Sequence, residues 1–187
     1  AEKEKPIEET LIENLKIRNS KVTLLLRKEH IYNREQDIQR LEESSSEIIA
    51  IDKLTEGTIS TVLLARNLID NNQPLLIANS DQIVDFDCNE LVNDSNSRNL
   101  DGSILVFRDP FRDPKWSFAK VNEEGYVEQV AEKKPISDLA TVGIYYFNNG
   151  SEFVASAIDM IVRNERVNGE FYTCPVYNYM ISKGLKI

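Results

Sequence analysis

Pro74-Leu75-Leu76-Ile77-Ala78-Asn79-Ser80-Asp81 decides the fold. A short, mostly apolar run without alternation ends here in a polar triplet that closes on a carboxylate. Such a run predicts a strand buried on both faces, as in parallel sheets flanked by helices. In open α/β sheets, ligands bind beyond the carboxyl ends of the strands, and Asp81 is expected at that edge. A lone carboxylate there suits Mg²⁺, which takes one or two protein carboxylates and fills its other positions with phosphate and water. Asn-Ser-Asp is equally good turn and helix-capping chemistry, and the spacing alone leaves both readings open.

Working outward, the preceding chain alternates helix and strand patterns. A helix is predicted from Pro6, with Ile7, Leu11, Ile12 and Leu15 on one face. Val22–Leu26 reads as a buried strand, 37–43 as a short helix broken by Ser44-Ser45-Ser46, and Glu47–Ile51 as a second strand. The loop Thr55-Glu56-Gly57 leads into a helix over Thr58–Ile69. This alternation predicts a three-layer αβα, Rossmann-like mixed sheet with a parallel core. After Asp81 the pattern changes. A helix over 88–97 is followed by strands over 102–108, 116–121, 127–132 and 140–147, with Asn122-Glu123-Glu124-Gly125 as a hairpin turn. The second half therefore adds antiparallel strands. Helices close the chain over 150–164 and 175–183, with Gly184 as a stop, and Leu185-Lys186-Ile187 reads as the start of a further strand. One domain over residues 1–187 is expected.

Composition narrows the function. Apolar residues make up 41% and charged residues 28% of the 187, ordinary for a globular protein. No apolar run approaches the roughly 20 residues of a membrane span, and the charged start does not read as a signal peptide. A net charge of −9 argues against nucleic-acid binding, which wants a basic footprint. Cys88 and Cys174 form no zinc-like spacing and read as reduced thiols of a cytoplasmic protein. His30, the single histidine, reads as a loop or capping residue rather than a catalyst.

Five short motifs recur in a familiar order: Thr55-Glu56-Gly57, Asn79-Ser80-Asp81, Glu132-Lys133-Lys134-Pro135, Thr141-Val142-Gly143-Ile144-Tyr145 and Gly169-Glu170-Phe171-Tyr172. Through them the chain resembles the sugar-1-phosphate nucleotidyltransferases, or nucleotide-sugar pyrophosphorylases. Within that family it is closest to small bacterial members linked to capsule and surface-polysaccharide synthesis. The resemblance implies Mg²⁺-dependent transfer of a nucleotidyl group from a nucleoside triphosphate to a sugar 1-phosphate, with release of pyrophosphate. Asp81 matches the metal-binding aspartate, and Glu56-Gly57 the loop packed on the nucleobase. Glu132 matches an acid that holds sugar hydroxyls, and Lys133 a lysine that grips the sugar phosphate. Asn79, Thr141 and Gly143 match positions at the substrate, and Glu170 the far rim of its pocket. Asp81 and Lys133 are the expected catalytic pair. The reaction joins two polyanions, so charge neutralisation and alignment supply most of its catalysis. A homo-oligomer is compatible with the sequence, although no segment reads as a dedicated dimer helix.

The residues also carry blander readings. Glu132–Lys134 could be a solvated strand end, and Gly57 a helix-start glycine. At least one of Tyr145, Tyr146 and Phe147 is expected in the core, and Trp116 with Phe118 is expected to pack rather than wall a sugar. The family's glycine-rich triphosphate loop has no match among the seven glycines, none of which lie close together. Its second metal-binding aspartate would fall after Ile187. These 187 residues are therefore expected to lack the N-terminal loop, to bind triphosphate poorly and to turn over slowly or not at all. A nucleotide-sugar-dependent glycosyltransferase, a phosphocholine cytidylyltransferase-like enzyme and a non-catalytic domain are the alternatives.

Overall fold

The computed structural model describes residues 7–32, 39, 41 and 46–187. The chain divides into two compact units, one of residues 1–55 with 80–90 and one of residues 56–79 with 91–187.

In the first unit, α1 (Ile7–Asn14) precedes β1 (Val22–Arg27), α2 (Lys28–Tyr32) and β2 (Ser46–Ile51). β1 and β2 pair in parallel, Val22 opposite Ser46 through Arg27 opposite Ile51. Leu11 of α1 is buried as its helical spacing predicts. His30 lies in α2 and is exposed. The helix expected over 37–43 falls almost entirely outside the described residues, within which Gln39 and Leu41 are helical. The Asn14 side chain donates to the Val84 carbonyl at 2.6 Å and accepts from the Val84 N–H at 3.1 Å, tying α1 to the segment after Asp81.

The second unit is built around a strand other than the 74–81 stretch. The helical segment 58–69 divides into α3 (Thr58–Val62), a 3₁₀ turn (Leu63–Ala65) and α4 (Arg66–Ile69). β3 is only Leu75–Ala78, and every residue in it is half-buried. Then follow α5 (Cys88–Ser97), which crosses from the first unit, β4 (Gly102–Arg108), β5 (Ser117–Val121), β6 (Val127–Glu132) and β7 (Leu139–Phe147). Tyr145 of β7 pairs with Ile77 of β3 and with Ile104 of β4, and Ala140 pairs with Phe107 of β4 and Phe118 of β5. A residue has two ladder edges, so β4 lines one edge of β7, and β3 and β5 share the other. All these pairings are antiparallel. The nine-residue β7 is thus the central strand, and all of Tyr145, Tyr146 and Phe147 are buried.

Helices α6 (Gly150–Val162) and α7 (Val176–Ser182) cover this sheet. The Asn149 side chain caps α6 by accepting from the N–H groups of Ser151 and Glu152, which satisfies two otherwise orphaned donors. Phe153, Ala157 and Met160 form its buried stripe. Tyr177 of α7 stacks on Phe147 with ring centroids 4.7 Å apart. Its hydroxyl points at the paired carbonyls of Ser103 and Tyr146 at 3.0 and 2.8 Å. Asn178 donates to the Val130 carbonyl and accepts from its N–H, both at 2.9 Å, and so closes part of the open edge of β6. Phe118 is fully buried, whereas Trp116 packs edge-on against Phe107 at 5.3 Å. Residues 185–187 form no strand. The Lys186 and Ile187 carbonyls accept from Asp101 and Val127 at 2.8 and 2.9 Å.

Candidate active site

The end of β6 gathers the chemistry of the second unit. The β5–β6 hairpin turns at Asn122, whose side-chain oxygen accepts from Glu124 and Tyr126 N–H groups at 3.0 and 2.9 Å. Its register sets Ser117 opposite Glu132, and the Ser117 hydroxyl donates to the Glu132 carboxylate. Burial pushes the Glu132 carboxyl above the usual carboxylate range, against the downward pull of the Ser117 hydroxyl and the Lys133 charge. Thr141 is buried, its hydroxyl 3.0 Å from that of Tyr145. The Tyr145 phenol and the Cys174 thiol are both pushed far up by burial, so Cys174 packs as an inert thiol.

Lys133 leaves the strand in a left-handed conformation, with φ 53°. Its N–H donates to the Trp116 carbonyl at 3.0 Å. Its ammonium donates to the Tyr172 hydroxyl at 2.7 Å, 4.6 Å from that ring's centroid. That hydrogen bond holds its pKa above the usual lysine value. Glu132 and Glu170 add a favourable field, yet among the described residues no carboxylate comes within ion-pair reach of the ammonium. The site offers an oriented cation that is not neutralised by a partner, beside an acid that is half-buried.

Gly143 and Asn79 meet one step past Ala78 opposite Ile144, beside an irregularity in β7. Its register with β4 shifts between Ile104, opposite Tyr145, and Val106, opposite Thr141. Two more residues of β7 than of β4 are accommodated there, and Gly143 sits among them at φ 77°. Its carbonyl accepts from the Asn79 N–H at 2.9 Å, and a Cβ on Gly143 would lie 2.5 Å from Asn79 Nδ2. The left-handed backbone favours glycine there, and any side chain would have to displace the Asn79 amide.

The Glu56-Gly57 loop is strapped to residues 164–171. Phe171 N–H donates to the Glu56 carbonyl at 2.9 Å, and Ile59 N–H to the Phe171 carbonyl at 3.1 Å. Gly57, at φ 111°, lies so close to Phe171 that a Cβ would meet its backbone oxygen and nitrogen at 2.5 and 2.6 Å. Arg166 lies 4.0 Å above the Phe171 ring and donates to Glu56 Oε2 at 2.6 Å and to the Gly169 carbonyl at 2.9 Å. Glu170 is exposed on the turn that Val167 and Glu170 close. The structure thus joins Glu56 and Gly57 to the 169–172 segment, and through Tyr172 to Lys133.

Asp81 belongs to the first unit and is exposed. Among the described residues its carboxylate has no hydrogen-bond or ion-pair partner, and no group of three acidic, histidine or cysteine ligands forms. A single uncommitted carboxylate is a donor set that fits a hard cation completed by phosphate and water, and does not fit an all-protein metal cage. Ser117 and Arg166 escape the sequence reading, and Tyr172, though part of the Gly169-Glu170-Phe171-Tyr172 motif, receives no role there. Arg166 lies three residues before that motif, which is the signal that could have found both.

Fold and site together define a mixed α/β protein of the nucleotide-diphospho-sugar transferase type, with a parallel pair and an antiparallel sheet. The family model described as Nucleotidyl transferase matches residues 1–171, and the chain belongs to that family. It is 27% identical over 121 residues to a glucose-1-phosphate adenylyltransferase of Clostridium acetobutylicum, covering 62% of this chain and 31% of the relative. A glucose-1-phosphate adenylyltransferase of Halalkalibacterium halodurans is 31% identical over 98 residues, covering 50% of this chain and 26% of the relative. The chain thus spans a third or less of the curated relatives it matches. A crystal structure of a nucleoside-diphosphate-sugar pyrophosphorylase from Vibrio cholerae superposes with a TM-score of 0.70 at 29% identity, covering 90% of this chain and 71% of that one.

Proposed function

We propose that the protein transfers a nucleotidyl group from a nucleoside triphosphate to a sugar 1-phosphate. A sugar-phosphate oxygen attacks the α-phosphorus, the α–β P–O bond breaks, and pyrophosphate leaves. The observation that carries this reading is the Lys133 ammonium, held by Tyr172 without a neutralising carboxylate among the described residues and flanked by the half-buried Glu132. An oriented ammonium is suited to a phosphomonoester, and an adjacent acid bonded to Ser117 keeps acceptor capacity for sugar hydroxyls. The names of the relatives, glucose-1-phosphate adenylyltransferases and a nucleoside-diphosphate-sugar pyrophosphorylase, support the same substrate classes.

In this reading Lys133 binds the sugar phosphate, Glu132, Thr141, Asn79 and Gly143 border the sugar, Glu170 its rim, and Glu56-Gly57 the nucleobase. Asp81 is the residue that would hold Mg²⁺, which when bound would neutralise triphosphate charge. A role in surface-polysaccharide synthesis and a cytoplasmic location belong to the same proposal. Residues 1–187 contain no glycine-rich phosphate loop, so tested alone they should bind triphosphate weakly. The test is pyrophosphate release by the full-length protein given Mg²⁺, glucose 1-phosphate and each nucleoside triphosphate in turn. Pyrophosphate formed with one of them, and lost in Lys133→Ala, is the expected result. Turnover unchanged in Lys133→Ala would refute the assignment.

A further inference from the structure

Lys133 presents a physical problem that the proposed reaction leaves unsolved. Its ammonium ends a long, flexible stem, and a cation that wanders is a poor aligner of a reacting phosphate. Two observations bear on how it is held. The backbone is left-handed at φ 53°, a conformation that costs a non-glycine residue energy and recurs at functional positions. It swings the side chain out of the course of β6. The ammonium then meets one polar side-chain atom among the described residues, the Tyr172 hydroxyl at 2.7 Å. That hydroxyl has Lys133 as its sole hydrogen-bond partner among the described residues.

The phenol is itself well anchored. It follows Phe171, whose backbone is bonded to Glu56 and Ile59, and precedes Thr173, which is buried with its hydroxyl 3.1 Å from that of Thr58. A residue between two such anchors has little freedom, whereas Lys133 sits at the end of a strand and precedes Lys134 and Pro135, which are exposed. A neutral acceptor also suits the task. A carboxylate at this distance would orient the ammonium but cancel its charge, and a phosphate would then have to displace it.

We propose that Tyr172 is a positioning residue for Lys133, its phenol oxygen fixing the ammonium where a sugar 1-phosphate is received while leaving its charge uncancelled. The inference rests on the assignment of Lys133 to the sugar phosphate. It adds that affinity depends on a neutral residue on the segment that also borders the Glu56-Gly57 loop, so that displacement of this segment disturbs both substrates.

The test is a double-mutant cycle in the full-length protein. Calorimetric binding of glucose 1-phosphate is compared for the wild type, Tyr172→Phe, Lys133→Ala and the double variant. Lys133 Nζ is titrated in parallel by NMR of ¹⁵N-labelled lysine. Tyr172→Phe keeps the ring and removes only the acceptor. It should weaken binding by roughly tenfold, the loss expected for one hydrogen bond to a charged group, and it should lower the Lys133 titration midpoint. The double variant should bind within about twofold of Lys133→Ala, because a positioning residue has nothing left to position. Wild-type affinity and an unmoved midpoint in Tyr172→Phe, with binding lost in Lys133→Ala, would overturn the positioning role and leave the site intact. Losses that multiply in the double variant would overturn it equally. Wild-type binding by Lys133→Ala would instead remove the site reading, and the inference with it.

Discussion

Replacing Gly57 by alanine tests the loop at its tightest point. The added Cβ would lie 2.5 and 2.6 Å from the Phe171 backbone oxygen and nitrogen, atoms that cannot rotate away. Keeping the loop closed would require a strained φ of 111°, worth about 1–3 kcal/mol. Opening it would forfeit the Phe171-to-Glu56 and Ile59-to-Phe171 hydrogen bonds, worth about 0.5–1.5 kcal/mol each. A closed loop would still carry the overlap, so the total should reach roughly 3 kcal/mol, the strain and part of both bonds combined. Gly169→Ala is the internal control. Gly169 also has a positive φ, 85°, but no atom within 4 Å of its Cβ position, so its cost should be only about 1–2 kcal/mol. Urea unfolding of both variants gives the difference directly. Hydrogen exchange at the Ile59 and Phe171 amides tells whether the cost is global or confined to the loop. Equal destabilisation of the two variants, with both amides still protected, would refute the argument from close approach.

Four further outcomes follow from the same contacts. Tyr177→Phe removes the hydroxyl between the Ser103 and Tyr146 carbonyls and should cost about 1–2 kcal/mol in urea unfolding, one buried hydrogen bond and its desolvated acceptors. Glu132 has a carboxyl raised in the folded state by burial, so protonation favours folding. Its contribution is present below the ordinary carboxylate range and is lost as pH rises through the raised value. Glu132→Gln should therefore stabilise the protein more at pH 7 than at pH 4, measured by thermal unfolding, while weakening glucose 1-phosphate binding. Arg166→Met, which removes the hydrogen bond to Glu56 but keeps apolar cover over Phe171, should raise the triphosphate KM by roughly tenfold, the worth of one charged hydrogen bond, with the KM for sugar phosphate changed less. Asp81→Asn should leave the thermal midpoint unmoved, because Asp81 is exposed and unpartnered among the described residues, yet cut pyrophosphate release by roughly two orders of magnitude.

Element types were legible because each followed a local rule. Val127–Glu132 and Cys88–Ser97 read as strand and helix from residue pattern, and they form over those spans. The centre of the second unit was not legible in the same way. Pro74–Asp81 is the most continuous apolar run before a carboxylate, but its strand is four residues long and pairs on one side with β7. Strand order is a non-local property, and an apolar run states only that it is covered, not by what. The partner of Glu132 was not legible for a related reason. Counting back across the hairpin from Val121 opposite Val127 would set Ser117 against Ala131, on the other face. A register shift between Lys120 and Val121 sets it against Glu132 instead, and a one-residue slip exchanges every inward and outward side chain.

The candidate site residues gather where the sheet is least regular. Asn79 bonds to the Gly143 carbonyl one regular step past Ala78 opposite Ile144. On the other edge of β7, the bulge between Ile104 and Val106 takes up the residues around Gly143, whose φ is 77°. The shift at Lys120 turns Ser117 toward Glu132, and the left-handed Lys133 redirects the next side chain to Tyr172. Each departure consumes stability that regular pairing would have kept. Each is offset by the core of Phe147, Phe153, Tyr177 and Met180 packed against the same sheet. Gly143→Ala keeps the chain length but sets a Cβ 2.5 Å from Asn79 Nδ2 at a φ of 77°, and should weaken glucose 1-phosphate binding in calorimetry. Wild-type binding by this variant would show that the irregularity is incidental to the site.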